Sequence, residues 1–483
     1  MNDPGSTQAG SAVDAVHAAG GPLSFPPDFV WGTATASYQI EGAVDEGGRR
    51  PSIWDTFSHT PGAVAGNENG DVADDHYHRY AEDVALLADL GVTHYRFSLA
   101  WPRLQPSGRG PINPAGLDFY QRLVEELLSR DIQPWVTLYH WDLPQVLEDE
   151  GGWRVRSTAQ AFADYAAVVH EALSDRVGMW ITLNEPFCSS FLGYAEGRHA
   201  PGAQEGHGAL AAAHHLMVGH GLAIQAMRAN GPGTAGQLGI TLNFNDVRPA
   251  SGSAADAGAA RRAACLSNEV FTEPILAGRY PAAEGETWGE GAEAISDFSF
   301  RQDGDLALIS TPIDFLGMNT YFPQVVADAP RDQADPARRT AADIGARTVI
   351  GDDEPLTAMG WPIDPSIMTG LLGWLRTTYP GLPPVYITEN GAAFADPVQA
   401  DGTVHDNDRI AYLDAHLRAV RQAMDAGSDV RGYFCWSLMD NFEWAYGYAK
   451  RFGLVHVDYP TQTRTPKASY HWYRQLINAG IED

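Results

Sequence analysis

Eight short apolar segments recur along the chain. Each is rich in β-branched and aromatic residues, and most are apolar at nearly every position. Continuous apolar runs of this length are typical of parallel strands that are covered on both faces. The segments read FVWGTATA from Phe29, HYRFSLAW from His94, QPWVTLYHW from Gln133, MWITLNEP from Met179, LGITLNFN from Leu238, IDFLGMNTY from Ile313, PVYITENG from Pro384 and VRGYFCWSL from Val430. We therefore predict eight buried strands.

Helical patterns separate these segments. Residues 80–90 carry apolar side chains at helical spacing and are followed by Gly91, which suits the position just past a helix end. In residues 113–128, Asn113 can cap a helix and Pro114 fits its first position, ahead of a second apolar stripe. The chain therefore alternates predicted strands with predicted helices.

The alternation favours a closed (β/α)8 TIM barrel over an open doubly wound sheet. Such an open sheet usually has a glycine-rich phosphate loop after its first strand, and neither GxGxxG nor a Walker sequence occurs there. The longest interruptions, at about 246–268, 282–300 and 327–358, are rich in Gly, Ala and Asp. We interpret them as long βα loops over the barrel mouth. The prediction is a single α/β domain over residues 23–483.

The charge balance excludes several classes of protein. With 32 Lys and Arg against 61 Asp and Glu, the formal charge of −29 disfavours binding to nucleic acid or to an anionic membrane surface. No uninterrupted apolar run reaches about 18 residues, the length that a membrane-spanning helix needs. We therefore expect no nucleic-acid partner and no membrane partner.

The start of the chain and its cysteines bear on cellular location. Residues 1–22 are rich in Gly, Ala and Ser and lack the basic start and apolar core of a secretory signal. We predict that they form a disordered lead-in. Cys188, Cys265 and Cys435 have neither a disulfide framework nor a CxxC spacing. A reducing cytoplasm fits these features best.

Polar side chains collect where the predicted strands end, which in such a barrel is the edge that carries the chemistry. Two apolar strands end in a carboxylate, Glu185 on the fourth and Glu389 on the seventh, which is costly unless the group is paired or used. A single such Glu is more often an ion-paired or loop-capping group. The other strand ends contribute Gln39, Arg96, His140, Trp141, Asn184, Asn319, Tyr321, Asn390, Trp436, Glu443 and Trp444. Their collection at one edge favours a functional site.

Two facing carboxylates among indole rings and amide side chains suit a sugar. Indole rings stack on the C–H face of a pyranose, while Gln, Asn, His and Glu side chains bond its hydroxyl groups. The chemistry that needs such a pair of carboxylates is glycoside hydrolysis. The strand ends therefore predict a glycosidase site.

Six segments of the sequence strengthen this interpretation. They are FPPDFVWGTATASYQIEGA (25–43), YHWDLP (139–144), TLNEP (182–186), MNTY (318–321), ITENG (387–391) and WSLMDNFEWAYGYAKRFGL (436–454). Together they resemble family 1 glycoside hydrolases, the β-glucosidase family, over about residues 25–474. The resemblance implies the same (β/α)8 barrel and an enzyme that removes terminal non-reducing β-D-glucosyl residues, as in the breakdown of cellobiose and cellulose fragments. β-Galactosides and β-fucosides stay open as further substrates.

The resemblance also implies roles for individual side chains. Glu389 of ITENG is expected to be the nucleophile, and Glu185 of TLNEP the general acid and base. Arg96 and Tyr321 are expected to keep Glu389 ionised, while that negative charge and partial burial keep Glu185 protonated. A retaining mechanism requires carboxyl groups about 5–5.5 Å apart, whereas about 6.5–9.5 Å indicates inversion. A buried ion pair without a catalytic role is an alternative for Arg96.

Sugar recognition is expected to fall on the remaining residues at the strand ends. Asn184 is expected to bond the 2-hydroxyl, and Glu443 the 4- and 6-hydroxyls. Relatives that take 6-phosphosugars have Ser with a nearby Lys and Tyr where this chain reads NFEWAYGY, so an unphosphorylated sugar is favoured. The expected sugar contacts are Gln39, His140, Trp141, Asn184, Asn319, Trp436, Glu443 and Trp444, and the leaving-group side is expected to be bordered by Trp361, Phe452, Cys188 and Leu192.

The resemblance implies no cofactor and a β-glycoside or β-linked oligosaccharide as the partner. Two histidine-containing segments are candidates for a metal site: DDHYHRY (74–80) and the group His214, His215 and His220. Neither contains HExxH, and the histidine group is predicted on an amphipathic helix, so a metal site is disfavoured. A non-catalytic sugar-binding barrel and a barrel metallohydrolase are alternatives; the former would be expected to lack one catalytic carboxylate, and both are present here. The glycone, the aglycone, transglycosylation and homo-oligomerisation stay open.

Overall fold

The computed structural model of the protein describes residues 23–231, 236–289, 297–331 and 340–479. Residues 1–22, with the predicted lead-in, lie outside the described residues. Within the described ranges, eight parallel strands close into a barrel, and their order around it follows their order in the chain. They are β1 Val30–Ala34, β2 His94–Ser98, β3 Gln133–Tyr139, β4 Met179–Asn184, β5 Gln237–Asn243, β6 Phe315–Asn319, β7 Val385–Asn390 and β8 Val430–Trp436. The predicted barrel and its eight strands are confirmed.

A helix follows each barrel strand. The helices are α1 His76–Leu90, α2 Pro114–Leu128, α3 Arg156–Leu173, α4 His207–Ala229, α5 Asp305–Ile309, α6 Ser366–Thr378, α7 Asn407–Asp425 and α8 Ala468–Ala479. Gly91 follows α1 with φ of 85°, a left-handed conformation that suits glycine, and the Asn113 side chain caps α2 ahead of Pro114. None of the helices in the described part of the chain has the length and apolar character needed to cross a membrane.

The loops between these elements contain further helices and helical turns. Short α-helices span Ser37–Ile40, Ile53–Ser58, Trp101–Leu104, Gln145–Asp149, Ala254–Ala264 and Val270–Thr272, and 3-10 turns span Ala65–Asn67, Gly152–Arg154 and Trp444–Tyr446. Wider π-type turns span Cys188–Ala195, Cys265–Glu269, Glu273–Ala277 and Gly285–Gly289. A hairpin of Val455–Asp458 and Thr463–Pro466 precedes α8.

The interruptions interpreted as long βα loops contain regular structure. Asp246–Pro249 pairs with Pro323–Asp328, which pairs in turn with Ala346–Thr348, so the three strands form a small sheet. The helix Ala254–Ala264 packs on this sheet, and their apolar side chains form a separate small core. These long βα loops therefore carry short strands and a helix of their own. Their strands begin directly after β5 and after β6, which puts the sheet at the carboxyl end of the barrel.

Aromatic rings fill the barrel near the amino ends of the strands. The ring of Trp135 on β3 lies 5.3 Å from that of Phe315, 4.8 Å from that of Tyr386 and 4.9 Å from that of Phe434, measured between centroids. These four rings come from β3, β6, β7 and β8, and they form a packed floor rather than a pore. The polar groups of the barrel therefore face the opposite, carboxyl end.

Candidate active site

Glu185 and Glu389 both lie at the carboxyl end of the barrel, beside irregularities in strand pairing. Glu185 directly follows β4, whose register with β5 shifts between Ile181 and Asn184. Glu389 is the penultimate residue of β7, whose register with β6 shifts just before it. Glu185 also has a positive φ of 43°. Such irregularities re-aim side chains next to active sites. Local backbone geometry therefore turns both carboxyl groups out of the regular strand pattern.

The carboxyl group of Glu389 is held by two donors. Nη1 of Arg96 lies 2.5 Å from Oε1 of Glu389, and the hydroxyl of Tyr321 donates to Oε2 at 2.7 Å. Arg96 is 1% exposed and Glu389 3% exposed, so water does not screen the pair. Burial and the Glu389 charge raise the pKa of Tyr321 well above its usual value, so its hydroxyl keeps the proton that it donates. Both contacts stabilise a negative charge on Glu389.

Glu185 lies in a different environment. Nδ2 of Asn319 donates to its Oε1 at 2.6 Å, and Sγ of Cys188 lies 3.0 Å from its Oε2. The described residues place no cation in hydrogen-bond contact with this carboxyl group. Burial, followed by the charge of Glu389, raises the pKa of Glu185 to about 7. Near neutral pH this carboxyl group can therefore both release and take up a proton.

Asn184 and Asn319 link the surroundings of the two carboxyl groups. Oδ1 of Asn184 accepts from Nη2 of Arg96 at 2.6 Å and from Nδ2 of Asn319 at 3.1 Å. The Asn184 amide nitrogen lies 3.0 Å from Nε2 of His140. Burial and the nearby Arg96 lower the pKa of His140 well below its usual value, so the ring is neutral and Nε2 accepts. The shared network fixes the distance and orientation of both glutamates.

A cavity of about 220 Å³ opens over these groups. The ring of His140 stacks 6.0 Å from both Trp436 and Trp444, and Trp361 lies 5.4 Å from Tyr321. The cavity is therefore walled by aromatic faces. The residues predicted for the site that line it are His140, Trp141, Glu185, Cys188, Leu192, Asn319, Tyr321, Trp361, Glu389, Trp436, Glu443, Trp444 and Phe452.

Three predicted site residues lie behind the cavity wall. Arg96 and Asn184 are buried in the network under the two carboxyl groups, and Gln39 is fully buried. Nε2 of Gln39 donates to Oδ1 of Asn441 at 3.0 Å and to the carbonyl of Phe442 at 2.8 Å. Its Oε1 is buried without a partner among the described residues. In this structure Gln39 supports the loop that carries Glu443.

Glu443 is buried beside the two central glutamates. It is 8% exposed, and its Oε2 has no hydrogen-bond partner within the described residues. Burial, followed by the charges of Glu389 and Glu185, raises the pKa of Glu443 to about 8. Below that pH the carboxyl group is neutral and offers both a donor and an acceptor. A neutral carboxyl group still lacks the positive charge that a phosphate group requires.

The cavity also contains residues that the sequence did not identify. Six of them lie at or just after the ends of β4, β5 and β6, where strand ends mark the site: Phe187, Asn243, Phe244, Asn245, Thr320 and Phe322. The rest come from loops farther from the strand ends, where no local pattern marks a cavity residue: Arg198, His199, Met359 and Tyr446. Burial, followed by Arg198, lowers the pKa of His199 to about 3, so this ring is neutral.

The three histidines of α4 considered for a metal site each contact a different partner. Nε2 of His214 contacts Asp305 at 2.8 Å, Nδ1 of His215 contacts the carbonyl of Trp153 at 3.0 Å, and Nδ1 of His220 contacts the Thr182 hydroxyl at 2.7 Å. Every residue of α4 from 209 to 221 is buried, so the prediction of an amphipathic helix is wrong here. No group of three or more His, Cys, Asp or Glu side chains in the described residues converges as metal ligands.

Comparisons with known proteins agree with this geometry. The model of Glycosyl hydrolase family 1 matches residues 22–481. A bifunctional beta-D-glucosidase/beta-D-fucosidase of Bifidobacterium breve is 50% identical over 465 residues, covering 94% of this chain and 98% of that protein. The thermostable beta-glucosidase B of Thermobispora bispora is 50% identical over 461 residues, covering 95% and 92%.

Solved structures agree as well. The psychrophilic beta-glucosidase of Micrococcus antarcticus has a TM-score of 0.89 at 48% identity, covering 95% of this chain and 98% of that one. The family 1 beta-glucosidase of Thermotoga maritima has a TM-score of 0.88 at 43% identity, covering 96% and 100%. The match spans the barrel, both glutamate motifs and the loops that line the cavity, and the chain belongs to glycosyl hydrolase family 1.

Proposed function

We propose that this protein is a retaining β-glycosidase that hydrolyses terminal non-reducing β-D-glucosyl residues through a covalent glycosyl-enzyme. The observation that carries the proposal is the unequal environment of two buried glutamates in one cavity. Glu389 faces Arg96 and the Tyr321 hydroxyl, whereas Glu185 faces an amide and a thiol and has its pKa raised to about 7. Two carboxyl groups with different charge states at one pH are what an acid–nucleophile pair requires.

In the first step, Glu389 attacks the anomeric carbon while Glu185 gives its proton to the leaving oxygen. The bond from the anomeric carbon to Oε of Glu389 forms as the glycosidic bond breaks. Arg96 and Tyr321 hold the attacking carboxylate in place, each through one of its two oxygens. The leaving group departs as a neutral alcohol because Glu185 has protonated it.

In the second step, Glu185 acts as the base. Esterification removes the negative charge of Glu389, which is one of the causes that raise the pKa of Glu185. The pKa of Glu185 therefore falls in the intermediate, and its carboxylate can take a proton from water. The water oxygen attacks the anomeric carbon, Glu389 leaves, and the two inversions together retain the β configuration.

The glycone is proposed to be an unphosphorylated hexose, with glucose first and fucose also accepted. The aromatic faces of Trp436 and Trp444 suit the C–H face of a pyranose, and the buried Glu443 can bond equatorial hydroxyl groups beside them. The names of the relatives point the same way, since they include glucosidases and one enzyme that also cleaves fucosides. A non-catalytic binder finds no support, because both carboxyl groups and their donors are in place.

The thiols support a reducing location for this enzyme. Cys188, Cys265 and Cys435 are all buried and free. Free buried thiols are usual in proteins kept in the cytoplasm. We therefore propose a cytoplasmic enzyme, and cell fractionation with an activity assay tests this.

The mechanism is tested by intact mass after incubation with a 2-deoxy-2-fluoro-β-glucoside that bears a good leaving group. The expected result is one fluoroglucosyl adduct, on the peptide that contains Glu389. Glu389→Gln, incubated in parallel, should remain unlabelled. An adduct on another residue contradicts the nucleophile assignment, and an adduct formed only with the galacto analogue contradicts the glycone assignment.

A further inference from the structure

The thiol of Cys188 lies directly on the carboxyl group of Glu185. Its Sγ is 3.0 Å from Oε2, and the amide of Asn319 donates to Oε1, so each oxygen has one such contact among the residues that the structure describes. The backbone also ties the two residues together, because the Cys188 N–H donates to the Glu185 carbonyl at 2.9 Å. The first turn of Cys188–Ala195 therefore holds the thiol in place against the carboxyl group.

The two contacts differ in chemistry. An amide N–H can only donate, so Asn319 favours the ionised form of Glu185 at all stages. A thiol carries one weak donor and a weakly accepting sulfur, so rotation about Cβ–Sγ lets it contact either form of the carboxyl group. The sulfur keeps its hydrogen, because burial and then the neighbouring Glu185 charge raise the pKa of the Cys188 thiol well above its usual value.

We infer that Cys188 is a positioning residue for proton transfer, whose S–H donates to Glu185 as that carboxyl group loses its proton. The inference rests on the acid–base role proposed for Glu185. In the first step the thiol stabilises the carboxylate that remains after the leaving oxygen is protonated. In the second step it keeps that carboxylate aligned until water gives up its proton. The S–H bond itself is neither broken nor oxidised.

The position of Cys188 in the cavity agrees with this role. The residue is 8% exposed and lines the cavity beside Glu185, together with Leu192 from the same turn. The other two cysteines do not line the cavity: Cys265 begins the turn Cys265–Glu269, and Cys435 lies within β8. A purely packing role would need only the volume of the side chain, whereas a donor role needs a hydrogen on the atom beside Oε2.

The experiment compares the pH dependence of kcat/KM for an aryl β-glucoside in wild type, Cys188→Ala and Cys188→Ser. Activity falls at high pH as Glu185 loses its proton. Removing a donor to the charged form raises the pKa of Glu185, so Cys188→Ala should move this alkaline limb upward by about half a pH unit, as expected for a weak donor. Cys188→Ser keeps a donor and should leave the limb at or below its wild-type position. Cys265→Ala, in a buried cysteine away from the cavity, should not move it.

An alkaline limb that stays fixed in Cys188→Ala, with activity lowered equally at every pH, overturns the inference. Thermal melting of each variant shows whether it is folded. Glu185→Gln, run beside them, separates this outcome from failure of the proposed function. If Glu185→Gln keeps the wild-type alkaline limb, the acid–base role of Glu185 is wrong, whatever Cys188→Ala does. If Glu185→Gln loses the limb and Cys188→Ala does not shift it, only the role of the thiol is wrong.

Discussion

Asn319 and Glu389 occupy paired positions on the neighbouring strands β6 and β7, and the amide of Asn319 reaches the other glutamate, Glu185, at 2.6 Å. One strand pairing therefore sets the position of both carboxyl groups. The same amide also donates to Asn184, whose Oδ1 accepts from Arg96. The site is thus one connected network. Arg96, the donor to Glu389, and Asn319, the donor to Glu185, both also donate to Asn184.

Glu389→Ala is expected to lower turnover of β-glucosides at least about a thousandfold, because it removes the proposed nucleophile. Added azide or formate can enter the vacated space and attack instead, so activity should partly return with inverted product. The measurement is the hydrolysis rate and the anomer formed. Glu171→Ala, on the exposed side of α3, is the matched control. Rates unchanged in Glu389→Ala would remove Glu389 from its role.

The pH profile should report the acid form of Glu185. Its pKa is raised to about 7 by burial and by the Glu389 charge. The protonated form is the proposed acid of the first step. The value of kcat/KM should therefore fall as pH rises through about 7. Glu185→Gln with a dinitrophenyl glucoside, whose leaving group needs no proton, should retain the first step and lose this decline. A decline that persists in Glu185→Gln would have to come from another group.

Glu443→Ser should discriminate between sugars. The buried Glu443 is proposed to bond the 4- and 6-hydroxyls, and fucose has no 6-hydroxyl. We expect kcat/KM for an aryl glucoside to fall about tenfold to a hundredfold, as for loss of a strong hydrogen bond, and that for the matching fucoside to fall far less. Equal losses on both sugars would contradict the contact with the 6-hydroxyl. Glu171→Ser should change neither.

The stability of the protein should fall as pH drops below about 6.5. His220 is fully buried against Thr182, and burial lowers its pKa from 6.5 to about 3. Between these values the unfolded chain binds the proton and the folded one does not, so lower pH favours unfolding. At pH 5 this one side chain accounts for about 2 kcal/mol of lost unfolding free energy.

The measurement for this prediction is urea unfolding at pH 7 and pH 5, in wild type and in His220→Gln. The variant should lose less stability between the two pH values than the wild type does, whatever its stability at pH 7. His471→Gln, at an exposed position on α8, should keep the wild-type difference. A difference equally large in His220→Gln would mean that other groups cause the acid sensitivity.

Much of the architecture follows from local patterns. The eight apolar segments contain the eight barrel strands, and both Gly91 and Asn113 mark helix ends as predicted, because strand period and capping depend on a few neighbouring residues. The glutamate motifs identify the family for the same reason. The burial of α4 on all sides does not follow from its sequence, since the covering of a helix depends on its neighbours in space. The small sheet after β5 and β6 has no clear sequence pattern, because its strands are only three to six residues long.

The chemistry of the cavity depends on contacts between residues that are distant in the chain. Arg96 and Glu389 are 293 positions apart, and Asn319 and Glu185 are 134 apart. Sequence motifs identify these side chains and their chemical types. Barrel closure brings them within hydrogen-bond distance and buries them, and burial is what raises the pKa of Glu185 to about 7 and that of Glu443 to about 8. Desolvation and charge proximity depend on three-dimensional position, which no local pattern encodes.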